Sequence, residues 1–352
     1  MKQTVINRRG VRPLTAVLAL VAAAGLAGCR SSNSDGGDSS SSPAVKIMVG
    51  GIDKVIYLPA MLTQQLGYFK DEGVDVKLMT EPSGASAENV LLAGQVQGVV
   101  GFYDHAITLQ AQGKCIESVV QLAKVPGEAE VVSTKAASSL TSPGDFKGRK
   151  LGVTSPGSST DYLTQYLAKK NDIDSSEYTT VTAGAGSTFL AALQNGGIDA
   201  GMTTDPTIAQ VTDKGLGKVL VDMRTEEGTK AALGGLYPAA SMYMDCSYVE
   251  ENPKTVQKVV DAFVKTMGWI STHDAAAIAA KMPKDYAGDN PELYVQAIKD
   301  SMPMFTTDGV MPEGGPETVL DVLGTFSDTV KAKKDDIDLS KTYTTKFAEA
   351  AS

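Results

Sequence analysis

From residue 45 onward, short apolar runs alternate with longer segments of helical period, and glycine-rich or hydroxyl-rich turns separate them. Residues 45–49 read as a strand, followed by the loop Gly50-Gly51-Ile52-Asp53 and a helix running from Tyr57-Leu58-Pro59 through Leu62 and Leu66 to Tyr68-Phe69. A second strand is expected at 74–79, a helix at 87–93 opened by Pro82-Ser83-Gly84-Ala85-Ser86, and a third strand at 96–101 topped by Phe102-Tyr103-Asp104. Strand, loop and helix at this spacing predict parallel βαβ units, whose ligands gather at the carboxyl ends of the strands.

The plan recurs. Leu92-Ala93-Gly94-Gln95-Val96-Gln97-Gly98 aligns with Gln194-Asn195-Gly196-Gly197-Ile198-Asp199-Ala200 at an offset of 102, which also relates Gly113 to Gly215 and Ser86 to Thr188; Asp104 meets Asp205 at an offset of 101. Two matching sets of loops follow, able to face one another. The second set contains the most telling stretch, Asp145 to Leu163. Residues 150–154 read as a buried strand, and Ser155-Pro156-Gly157-Ser158-Ser159-Thr160 leads into a helix over 161–170. A helix start lined with hydroxyls, where backbone N–H groups lack partners and the dipole is positive, suits a small anion or a carbonyl; an ordinary capped helix has the same local sequence.

Residues 122–131, with Pro126 and Gly127, and their later counterpart Gly234-Gly235-Leu236-Tyr237-Pro238 read as crossings between lobes. The expected division is lobe 1 at 44–124 plus 239–352 and lobe 2 at 125–238. Past the second crossing the pattern turns helical. Val256, Val259, Val260, Phe263, Met267 and Ile270 mark one apolar face, and further helices are expected at 275–281, 291–301 and 317–331, packing back on the first lobe.

Composition matters mainly at the N-terminus. Lys2, Arg8, Arg9 and Arg12 precede an apolar run from Leu14 to Gly28, too short to span a bilayer comfortably, so 1–28 reads as a signal peptide. Leu26-Ala27-Gly28-Cys29 resembles a lipobox, which makes Cys29 the lipid acceptor and the location the cell envelope, periplasmic or outer surface; Arg8-Arg9 leaves Sec and twin-arginine export both open. Residues 29–43 are a Ser/Gly/Asp tether with a reach of roughly 20 Å. Without the leader's four basic residues, 32 Lys+Arg fall to 28 against 41 Asp+Glu, a net charge of −13 that repels nucleic acid. Of three cysteines, Cys115 and Cys246 then remain as an even pair, either bridged or separately buried.

These features together resemble the solute-binding proteins of ABC importers, in the nitrate, sulfonate, taurine and pyrimidine-precursor group, over about residues 44–270. The carriers are Leu66-Gly67-Tyr68-Phe69-Lys70-Asp71-Glu72-Gly73-Val74-Asp75-Val76, Ala93-Gly94-Gln95-Val96, Asp145-Phe146-Lys147-Gly148-Arg149-Lys150-Leu151-Gly152-Val153, Pro156-Gly157-Ser158 and Gly196-Gly197-Ile198-Asp199-Ala200. Gln97 departs from the pattern, standing where the family usually has the aspartate seen at Asp199. The resemblance implies an α/β fold of the type II periplasmic-binding-protein kind, with two doubly wound lobes joined by two crossover segments around a ligand cleft. It implies a monomer that captures a small organic or oxyanionic solute by lobe closure and hands it to a membrane permease and its ATPase, with no cofactor and no metal.

Carried over position by position, the site draws on Gly51, Asp53 and Tyr57; Ser83, Gly84 and Ser86; Phe102, Tyr103 and Asp104; Ser155, Gly157, Ser158, Ser159 and Thr160; Gly186, Ser187 and Thr188; Thr204 and Asp205; with Tyr237 closing over the ligand. Hydroxyls and free N–H groups suit an oxyanion and aromatic faces suit a flat ring; Lys54 is the one base in these loops. Asp53, Asp104 and Asp205 either favour a ligand with amine donors or merely cap neighbouring helices.

An enzyme is not expected. The pyrimidine-precursor synthases of this fold class rely on a cysteine cluster, and none is present. His105 and His273 are too scattered for a metal site and fit surface or core better. No Gly-x-Ser-x-Gly elbow occurs, Gly184-Ala185-Gly186-Ser187-Thr188-Phe189 lacks the third glycine of a dinucleotide loop, and Trp269 lies on an apolar stripe. A ligand-loaded sensor docking on a membrane receptor would use the same cleft.

Overall fold

The computed structural model describes residues 44–351; the leader, Cys29 and the tether lie outside the described residues. Two five-stranded sheets carry the fold. In the first, β1 (Ala44–Val49), β2 (Asp75–Thr80), β3 (Gly98–Phe102), β4 (Ile116–Gln121) and β10 (Ala240–Asp245) lie in the order β2-β1-β3-β10-β4. In the second, β5 (Glu128–Ser133), β6 (Lys150–Val153), β7 (Thr179–Thr182), β8 (Ala200–Thr204) and β9 (Gly217–Asp222) lie in the order β7-β6-β8-β5-β9. The repeat seen in the sequence is a repeat of topology: β1, β2 and β3 pair in parallel as β6, β7 and β8 do. The sheets also exchange strands. After β4 the chain leaves the first sheet and enters the second as β5, antiparallel to β8 and β9; after β9 it returns as β10, antiparallel to β3 and β4.

Both crossings therefore end in central strands. The segment 122–131, expected as a plain crossing, already contains the first four residues of β5. All six residues of β5 are buried although two are glutamates, so its polarity hides it from a reading by hydrophobic period. The other central strands follow the pattern for strands covered on both faces, β3 as Gly-Val-Val-Gly-Phe and β8 as Ala-Gly-Met-Thr-Thr, all buried. One face of each sheet has its own apolar cluster, around Val99 and Leu109 in the first and Phe189 and Val211 in the second. A third cluster runs continuously from Val45 to Ala348.

The tail helix Pro253–Thr272 buries the predicted stripe, including Val256, Val260, Phe263 and Met267, and packs on helix Leu58–Leu66, where the Thr63 and Thr266 hydroxyls meet at 2.7 Å. Trp269 is partly buried against the core and stacks on His273 at 3.7 Å. The single helix expected at 317–331 is two, Gly315–Phe326 and Asp328–Lys333, because the Ser327 hydroxyl accepts the Val330 N–H and starts a new helix. The tail reaches further than expected: Gly315–Phe326 packs on Ser159–Lys169, and Pro291–Ser301 on Thr207–Asp213. Cys115 and Cys246 are disulfide-bonded with their Cα atoms 5.5 Å apart, tying the start of β4 to the end of β10.

Candidate functional site

The carboxyl ends of strands from both sheets meet at one small cavity. Its lining is Lys54, Ile56, Tyr57, Gly84, Glu128, Thr154, Ser158, Ser159, Thr160 and Thr204, and its volume is about 20 Å³, room for one water-sized molecule. Six of the residues expected from sequence line it: Tyr57, Gly84, Ser158, Ser159, Thr160 and Thr204.

The hydroxyl-rich turn before helix Ser159–Lys169 is knitted to itself. Thr160 Oγ1 accepts the Thr154 N–H at 2.9 Å, Ser158 Oγ donates to the Ser155 carbonyl at 2.6 Å, and Asp161 Oδ2 accepts the Gly157 N–H at 2.8 Å. Ser159 alone reaches across, donating to Asp104 Oδ1 at 2.9 Å, while the Tyr237 hydroxyl donates to Asp104 Oδ2 at 2.9 Å. Asp104 stands at the tip of the first sheet and is fully buried. Burial pushes its carboxyl pKa up, and the neighbouring His105 and the two hydroxyl donors pull against that shift. Behind it, buried His105 meets Glu88 at 2.7 Å; burial opposes its charge, but the carboxylate outweighs burial and raises its pKa. A Cβ on Gly84 would lie 2.8 Å from His105 Nε2, so only glycine fits the start of helix Gly84–Leu92 as it stands.

Lys54 closes the cavity on the other side. Its ammonium donates to the carbonyls of Gly50 at 2.7 Å and Pro82 at 3.1 Å, curling into space that a side chain on Gly51 would occupy, since a Cβ there would come within 2.5 Å of Lys54 Cε. Burial lowers the lysine's pKa to about 8, against the raising influence of Glu128 and Asp53. Lys54 also lines an outer groove with Asp53, Gly186, Ser187 and Tyr286.

Ile56, Glu128 and Thr154 line the cavity although sequence reading did not place them there, and Lys54 was noted only as the base in these loops; of these Glu128 matters most. It is 2% exposed and opens β5 opposite Thr204. Burial, then Asp104 nearby, pushes its pKa well above the usual carboxylate range. The available signal was the spacing of Glu128 and Glu130, which puts both on one face of a strand.

The other expected residues have different places. Asp205 is not a cavity residue: its carboxylate is held by Arg224 Nη1 at 3.0 Å, Ser301 Oγ at 2.9 Å and the Ala209 N–H at 3.1 Å, and its carbonyl accepts the Val55 N–H. Tyr103 is core, bonded to the Thr342 hydroxyl and edge-on to Tyr343, and Phe102 packs edge-on to Tyr57 at 6.3 Å between centroids. Ser83 caps its helix by accepting the Ser86 N–H, with the Ser86 hydroxyl at 2.9 Å. Thr188 Oγ1 donates to the Ala185 carbonyl, and Ser155, Gly157 and Gly51 shape turns without lining the cavity. Among the described residues no group of three His, Cys, Asp or Glu side chains is placed to hold a metal ion.

Comparison with known proteins agrees with this architecture. The family described as NMT1/THI5 like matches residues 56–277. The solved structure of CAE31940 from Bordetella bronchiseptica is 34% identical, covers 88% of this chain and 96% of its own, and superposes with a TM-score of 0.83. The periplasmic nitrate-binding protein NrtA of Synechocystis shares the fold at 12% identity, with a TM-score of 0.68 and 88% of each chain covered. Among relatives, YtlA of Bacillus subtilis is 22% identical over 249 residues, 70% of this chain and 72% of YtlA. The 4-amino-5-hydroxymethyl-2-methylpyrimidine phosphate synthase THI13 of Saccharomyces cerevisiae is 23% identical over 244 residues, 67% and 68% of the two chains. The fold is that of the periplasmic binding proteins.

Proposed function

The chain belongs to the NMT1/THI5-like family, and from that premise we propose that it is the solute-binding component of an ABC importer, exported and held at the cell envelope by a lipid on Cys29. In this reading residues 44–124 plus 239–352 form one lobe and 125–238 the other, and the two close on a small solute, which passes to a permease and its ATPase. The observation that carries it is the cavity itself. Strand tips and helix starts of both sheets enclose it, and the Ser159–Asp104 bond bridges them directly. At about 20 Å³ it has room for no more than a water-sized molecule, so a larger solute fits only if the lobes part.

A second reading, an enzyme, is favoured by the likeness to THI13. Against it, both cysteines among the described residues are tied up in one disulfide, leaving no thiol cluster beside the cavity. The test is titration of nitrate, sulfonates, taurine and aminopyrimidines, followed by thermal shift, small-angle scattering and product analysis. Stoichiometric binding with a smaller radius of gyration is expected. Binding without contraction counts against lobe closure, and conversion of an added pyrimidine precursor would replace the transport reading with the enzymatic one.

A further inference from the structure

We propose that the captured solute carries a protonated nitrogen, and that Glu128 is the residue that selects it. This rests on the solute-binding reading above and specifies its ligand. The cavity's polar groups divide into engaged and idle ones. Most of the donors suited to gripping an oxyanion are engaged within the protein. Ser158 donates to the Ser155 carbonyl, Ser159 to Asp104 and Thr160 to Thr154 Oγ1, while the Lys54 ammonium donates to two backbone carbonyls. The idle groups include acceptors. Glu128 Oε2 is buried with no hydrogen-bond partner, and so is Thr204 Oγ1, which faces it across the β5–β8 pairing.

Leaving a buried carboxyl oxygen without a donor is costly, and more so once the group is charged. The strand does not require it, since the buried Ala129 and Val131 make the same ladder with apolar side chains. A guest N–H placed between Glu128 and Thr204 would satisfy both. The charged groups around the pocket favour a cation for that guest. Asp104 and Glu130 are close enough to bear on Glu128 as like charges, Lys54 is the opposing cation, and the Tyr57 and Tyr237 hydroxyls are held protonated by burial and then by Glu128 and Asp104. An ammonium, amidinium or guanidinium group meets these requirements, whereas nitrate or a sulfonate would set its oxygens against Glu128.

Three planar molecules of nearly one shape separate the cases: guanidinium, urea and nitrate, each titrated at millimolar concentration and followed by calorimetry and by the radius of gyration. Guanidinium is expected to bind saturably and to contract the protein, with urea and nitrate at least tenfold weaker. Glu128→Gln, which keeps the shape but cannot ionise to pair with a cation, is expected to lose at least tenfold in guanidinium affinity, and Thr204→Ala to lose less. Equal binding of urea and guanidinium, preferential binding of nitrate, unchanged guanidinium binding in Glu128→Gln, or no guanidinium binding would each overturn the proposal. Nitrate binding with contraction would overturn it while leaving the solute-binding reading intact. Failure of every solute in the wider panel to bind or contract the protein would remove both.

Discussion

Ser159→Ala isolates the one side-chain bond that joins the helix start of the second sheet to the strand tip of the first. In the wild type, buried Asp104 receives two hydroxyl hydrogen bonds, from Ser159 and Tyr237. The variant leaves it one. A hydrogen bond to a charged group contributes about 1.5–3 kcal/mol. Over the described residues a loss of that size lowers the thermal midpoint by roughly 2–5 °C. The effect has a pH signature. Asp104's folded pKa is raised, so its ionisation costs stability; the cost is complete above that pKa and is lost as the pH falls from it toward the ordinary carboxylate value and the carboxyl takes up a proton. The hydroxyls offset that cost only for the charged form. The gap between wild type and variant should therefore be full at pH 8 and shrink on acidification. If the bond forms only when the lobes close, solute affinity should also fall about 10- to 150-fold. Thermal melts from pH 8 to pH 4.5, with one calorimetric titration, test both. A melting difference that is absent at pH 8 or constant across the range would refute the reasoning, because Asp104 would then be either indifferent to Ser159 or never charged.

Two further predictions concern groups that hold the frame. Replacing both Cys115 and Cys246 by serine should lower stability by about 3–5 kcal/mol, because the bridge closes a loop spanning 131 positions of sequence, and the shift should appear in denaturant melts of the non-reduced protein. Arg224→Met should cost about 3–5 kcal/mol at neutral pH by stranding buried Asp205, and the companion Asp205→Asn in that background should recover part of the loss; no recovery would show that Arg224 acts by packing alone.

Local period and turn chemistry made much of the fold legible in the sequence. The parallel units, the offset repeat, the apolar stripe from Val256 to Ile270 and the hydroxyl-rich start at Ser158-Ser159-Thr160 follow from residues a few positions apart, whose spacing sets which face is buried. Which polar groups remain free depended instead on contacts between distant parts of the chain. For Asp205, as for its repeat partner Asp104, the sequence leaves open whether it reaches for ligand or caps a helix. Its carboxylate meets Arg224, 19 positions away, and Ser301, 96 positions away. Asp104 finds Tyr237 across 133 positions. Glu128 gave no apolar signal, yet the strand exchange drives it into the interior between β8 and β9. A carboxylate is chemically the same in all three places. Its role depends on whether distant parts of the chain bring it a donor, and no local pattern records that.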